Sequence, residues 1–106
     1  MDETTPPLET TVPSLGGPLF ALGRVVATPG ALAAMSLAGT SPESLLDRHV
    51  RGDWGELGEE DRQANWQALS SGARLLSAYV LPDSVRVWII TEADRSATTI
   101  LLPGDY

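Results

Sequence analysis

The chain has no cysteine and no lysine, a single histidine, and no long apolar run. Without cysteine there is no disulfide, no thiol nucleophile and no thiolate metal ligand. The lone His49 excludes a multi-histidine zinc site within one chain. No stretch approaches the ~20 apolar residues needed to cross a bilayer. The opening residues are acidic and proline-rich, unlike a secretory signal, so the expected location is the cytoplasm. Basic charge is scarce as well: seven arginines stand against fourteen acids, a formal net charge of −7 and a pI near 4.4. Affinity for a phosphate backbone draws on concentrated positive charge. Direct nucleic-acid binding is therefore disfavoured, and a protein partner with a basic surface is expected instead.

The motifs of cofactor chemistry are missing too. A phosphate-binding loop needs its glycine-rich turn and usually a lysine. The run Asp53-Trp54-Gly55-Glu56-Leu57-Gly58 starts with an acid and has glycine sixth, as a calcium loop does. Gly55, Leu57 and Ala64 fall at ligand positions, however, and cannot close a calcium site. No Gly-x-Ser-x-Gly elbow occurs. No cofactor and no metal are expected.

What is present reads as one small α+β domain of 88 residues behind an N-terminal tail, within a chain of 106. Met1 to Pro18 hold four of the eight prolines and the acids Asp2, Glu3 and Glu9 with no basic residue. Such a composition does not offset its ordering entropy, and a flexible tail is expected there. Residues 19–106 are the expected domain. Leu19–Ala27 reads as a strand, with Gly23 marking a bend. Thr28-Pro29 opens a helix that ends near Gly39. Thr40 and Glu43 stand at capping-box spacing before a second helix through Leu45, Leu46, His49 and Val50, ending at Gly52. A third spans Glu59 to Ser71, with three acids in its first turn to complement the dipole and Gly72 at its end. Then the period shortens. Arg74–Leu81, Val85–Thr91 and Ala97–Leu102 are β-branched and aromatic runs joined by Pro82-Asp83-Ser84 and Ala93-Asp94-Arg95-Ser96. The expected architecture is an antiparallel sheet of three to four strands, a C-terminal meander included, with two to three helices on one face. Val87–Ile90 and Ile100–Leu102 offer apolar side chains to both sides of that sheet. Either the N-terminal strand and the chain end cover the second face, or a second copy of the chain does.

His49 is the most informative single position. At about 100° per residue it lies near 40° from Leu45 and 60° from Leu46, inside the apolar stripe. A histidine there needs hydrogen-bond partners. One reading is a packed imidazole tying the helix to its neighbour. The other is a general acid/base of a small metal-independent endoribonuclease. There His49, Glu92, Arg95 and Thr99 would supply the proton-transfer groups and phosphorane cation, with Arg86 contacting phosphate. A competing, non-enzymatic site lies around the acidic loop: Asp53, Trp54, Glu56, Glu59, Glu60 and Trp66. Trp66 points off the apolar stripe of the third helix, and tryptophan beside surplus charge is a frequent protein-contact anchor.

Three stretches carry a resemblance: Arg48-His49-Val50-Arg51-Gly52-Asp53-Trp54-Gly55, Trp88-Ile89-Ile90-Thr91-Glu92-Ala93-Asp94-Arg95-Ser96, and the ending Leu101-Leu102-Pro103-Gly104-Asp105-Tyr106, with Glu60-Asp61 and Asn65 between. Together they resemble a family of small bacterial proteins labelled "plasmid related protein", over Leu19 to Tyr106. The resemblance implies a setting, bacterial mobile or accessory DNA, with roles in plasmid upkeep, anti-defence or a toxin system. It implies no catalytic residue. The expected function is a protein-binding accessory of such an element, with RNA cleavage as the alternative.

Overall fold

A computed structural model of the chain describes residues 17–106. The tail expected over Met1–Pro18 lies outside them except for its last two residues. Four strands and three helices follow in the order β1 (Arg24–Ala27), α1 (Pro29–Ala38), α2 (Pro42–Val50), α3 (Glu59–Ser71), β2 (Leu75–Val80), β3 (Arg86–Thr91) and β4 (Ala97–Leu101), closed by a single 3-10 turn, Pro103–Asp105.

Local chemistry sets the helix ends. The Thr28 side chain accepts from the Ala31 N–H with Pro29 at the first helical position, and α1 stops on left-handed Gly39. For α2 the cap is Ser41, whose hydroxyl accepts from the Ser44 N–H, and not the Thr40–Glu43 box. The chain leaves α2 at Arg51, one residue short of Gly52. The third helix matches its expected bounds, with Glu59, Glu60 and Asp61 in its first turn and left-handed Gly72 after it.

The sheet is mixed, in the order β1-β4-β3-β2. β2, β3 and β4 form the antiparallel meander, with Ser77 opposite Ile89 and Ile89 opposite Ile100. β1 corrects the antiparallel expectation. It joins the far edge parallel to β4, Val25 beside Thr98. The helices and the meander intervene between the two strands, and that long crossover permits the parallel direction. The first strand is also shorter than expected. Leu19–Gly23 is irregular because Gly23 takes φ +64° and presses against the backbone of Arg95 and Ser96, where a Cβ would overlap it.

Alternation along the strands sends Tyr79, Val87, Ile89 and Ile100 to one face, where Ala31 and Met35 of α1 and Leu45 of α2 pack on them. Fully burying each large side chain there contributes about 1.5–3 kcal/mol. A second cluster joins Trp54, Ala68 of α3 and Leu75, with Phe20, Leu57 and Leu69 at its margin. The helices thus form one layer on one face. The outer edge of β2 is closed by the α2–α3 loop: the Glu56 N–H donates to the Ala78 carbonyl at 2.6 Å and the Ala78 N–H to the Trp54 carbonyl at 3.1 Å. Covering an edge in this way removes a row of unpaired backbone groups from solvent.

Among the described residues, the three α-helices contribute to the clusters of the first face only. On the other face the cover among those residues is Tyr106, which meets Trp88 edge-on at 5.9 Å between ring centroids. The chain end therefore covers part of the second face, and β1 extends the sheet instead of covering it.

Candidate functional site

His49 sits in the last turn of α2, facing the sheet, and is 0% exposed. Nδ1 lies 2.6 Å from the Ser77 hydroxyl and Nε2 lies 2.9 Å from the Thr91 hydroxyl. Thr91 continues to Thr98 at 2.8 Å, and the Thr98 hydroxyl donates to the Leu22 carbonyl at 2.7 Å. That last acceptor orients the whole chain of bonds. A carbonyl only accepts, so Thr98 gives its one proton to Leu22. Thr91 must then donate to Thr98, and Nε2–H must donate to Thr91. Nδ1 is left as the acceptor for the Ser77 hydroxyl. His49 is therefore the neutral Nε2–H tautomer, and burial pushes its pKa down to about 4.

Aromatic rings complete the enclosure. Phe20 meets the imidazole edge-on at 5.1 Å and stacks on Trp54 at 6.3 Å, while Trp54 also meets Trp66 at 5.4 Å. The indole N–H of Trp54 is a buried donor with no hydrogen-bond partner among the described residues, an arrangement that costs about 1–3 kcal/mol.

The four residues considered for RNA cleavage do not converge. His49 is sealed on the helix-covered face. Arg95, at φ +61°, gives its guanidinium to the carbonyls of Ala68, Ala73, Glu92 and Ala93 at 2.7–3.1 Å. It ties the end of α3 to the β3–β4 turn and has no free fork for a phosphate. Glu92 and Thr99 belong to the opposite, open face. There they line a groove of about 300 Å³ with Arg74, Ile90, Leu101 and Tyr106. Arg74 donates to the Tyr106 hydroxyl and lies over its ring. Arg86 is exposed at the start of β3 on that same face. Arg74 and Tyr106 were missed by sequence reasoning. The signal for them was the register of the meander, which aligns Ile90 with Thr99 and so builds the floor between them.

The acidic-loop candidates also divide. Trp54 is 2% exposed and belongs to the core, because the loop carrying it pairs with β2. Asp53 forms a two-pronged pair with Arg48 at 2.7 and 3.3 Å, and that guanidinium holds its carboxyl below the usual range. The Asp53 carbonyl accepts from the Tyr79 hydroxyl at 2.6 Å, and Arg48 lies over the Tyr79 ring. Burial raises the Tyr79 pKa to about 12. Glu59 pairs with Arg62 at 2.8 Å. Glu56 and Glu60 are exposed, and Trp66 keeps 49% of its surface in solvent. The segment Arg48–Gly55 is thus chiefly a structural staple, and the exposed remainder of the patch is Glu56, Glu59, Glu60 and Trp66.

Among the described residues no group of three or more histidines, cysteines or acids is arranged to hold a metal ion. No helix among them is long and apolar enough to cross a membrane. Comparison with known proteins gave no match to a family model, a curated protein or a solved structure.

Proposed function

We propose that this protein is a non-catalytic binding module that engages another protein, its helical layer meeting a basic partner surface through Trp66 and the acids beside it. One observation carries the reading: the lone histidine is sealed and both its nitrogens are already engaged, so the general acid/base that the catalytic alternative required is absent from any cleft. A half-exposed tryptophan on an acidic helix remains. Tryptophan anchors are enriched at interface hot spots, and surrounding charge governs encounter rate and partner choice. The resemblance of Arg48–Gly55 and Trp88–Ser96 to the plasmid-related family supports the setting, an accessory protein of a bacterial mobile element, with anti-defence among its roles.

A second reading rests on the open-face groove, where Glu92 and Thr99 meet Arg74 and Tyr106. There an RNA-cleaving site would work without His49, with Glu92 as base and Arg74 as the phosphate contact.

One experiment separates them. The full chain captures its partner from a host lysate, and affinity is then measured with that partner purified, at low and high salt. Trp66→Ala is expected to weaken binding at least about tenfold, and Glu56→Gln with Glu60→Gln to slow association and flatten its salt dependence. Affinity indifferent to both changes defeats the binding reading at this surface. Parallel incubation with RNA is expected to leave it intact, whereas cleavage abolished by Glu92→Gln establishes the second reading.

A further inference from the structure

The charges of this acidic chain are sorted between its two faces. Of the seven arginines, Arg48, Arg51 and Arg62 pair with acids in or beside the helical layer, and Arg95 is tied to backbone carbonyls. The remaining three, Arg24, Arg74 and Arg86, all belong to the open face of the sheet. Strand alternation puts Arg24 on the side of Val26, and Arg86 on the side of Trp88. Arg74 lines the groove beside Ile90 and Thr99. Among the described residues none of these three makes an ion pair. The acid that lines the groove with Arg74 is Glu92. Between the arginines the surface is apolar and incompletely covered: Val26 is 39% exposed, Val80 43% and Tyr106 69%, with Trp88 and Leu76 half-buried.

We infer that this open sheet face docks an acidic, apolar segment of a partner protein. The inference is independent of the helical-layer surface proposed above, and the two surfaces select partners of opposite charge. Apolar side chains dehydrate Val26, Leu76 and Val80 favourably, while carboxylates meet the three arginines. A nucleic acid satisfies the arginines but leaves the branched aliphatics facing ribose and phosphate. A second copy placed by a two-fold axis repeats the same patch on both sides, setting one net-positive surface against another.

The test uses the full chain and a short labelled peptide alternating glutamate with leucine. The comparison probes are its lysine–leucine counterpart and an oligouridylate. Binding is read by fluorescence anisotropy, and the location by amide chemical-shift changes. The glutamate peptide is expected to bind at least about tenfold tighter than the lysine peptide and to shift Leu76, Trp88 and Thr99. Arg74→Glu and Arg86→Glu, both exposed positions, are each expected to weaken it about tenfold. Five results overturn the inference. The lysine peptide binds equally, or the arginine changes have no effect. The oligouridylate binds more tightly at the same residues, which makes the face a nucleic-acid surface. Sedimentation shows a dimer that Trp88→Ala dissolves, which makes it a self-contact. Finally, the peptide binds only after Asp2, Glu3 and Glu9 are changed to Asn or Gln, which makes the chain's own N-terminal segment the occupant.

Discussion

His49→Ala is expected to destabilise the domain by about 3–5 kcal/mol, measured by urea denaturation at pH 7.5. Two effects add. Removing the imidazole leaves a cavity under Phe20, strands the buried Ser77 hydroxyl without its acceptor and takes from Thr91 the donor it accepts from, while the Thr91 bond to Thr98 survives. A typical domain has only about 5–15 kcal/mol of stability, so the variant sits near its unfolding threshold. Thr99→Val, on the opposite face, is the matched control and is expected to change stability by less than about 1 kcal/mol.

The same histidine sets a pH dependence. Its native pKa near 4 lies below the value near 6.5 that it has when unfolded, so the unfolded chain binds the extra proton between those limits. Stability is then fully present above pH 6.5 and declines as the pH falls toward 4. The loss is about 3 kcal/mol once both states are protonated. Carboxylates held below their usual range, Asp53 by Arg48 and Asp105 by the Thr28 hydroxyl, lose their contribution at the acid end, as pH falls through and below their ordinary values. A urea series from pH 7.5 to 4 checks the sign. Comparing wild type with His49→Ala isolates the histidine, since the variant should lack the decline between pH 6.5 and 5. A wild-type protein equally stable across that interval contradicts the sealed neutral imidazole.

Gly55→Val carries the second large effect. Gly55 adopts φ +76°, and a Cβ there would run into the Ala78 carbonyl and the Tyr79 ring. A valine also brings left-handed strain of about 1–2 kcal/mol. Because the obstacle is backbone, the loop has to leave the β2 edge, losing the two hydrogen bonds of Ala78 and the cover of Trp54. The expected cost is at least about 3 kcal/mol. Red-shifted tryptophan fluorescence should accompany it as Trp54 meets water. Gly72→Ala supplies the comparison: φ is similarly positive at +78°, but the space beside it is open, so only the conformational cost of about 1 kcal/mol is expected.

Much of the local structure was legible because its causes are local. Thr28-Pro29, the acid-rich start at Glu59 and the glycines at 39 and 72 act on groups within about four residues, and the helices end where those residues put them. The position of His49 in the apolar stripe correctly implied burial and hydrogen bonding. Its partners were not evident, since Ser77 and Thr91 lie 28 and 42 residues away in the chain. Alternation nevertheless held a clue, because Ser77, Thr91 and Thr98 share the parity of the buried apolar positions. Trp66 off its helix stripe was readable from periodicity. Trp54 was not, because a loop has no period, and pairing of Gly55 with Ala78 decides its burial.

Sequence alone therefore determined the class of the domain, the ends of α1 and α3, the strands of the meander and the absence of thiol chemistry. Each follows from composition or from interactions between near neighbours. Tertiary structure decided the parallel seat of β1, the sealing of the histidine, the use of Arg95 as a carbonyl tie and the gathering of Arg24, Arg74 and Arg86 on one face. Those depend on which strands pair and which face the helices cover, and the burial of the entire core settles both at once.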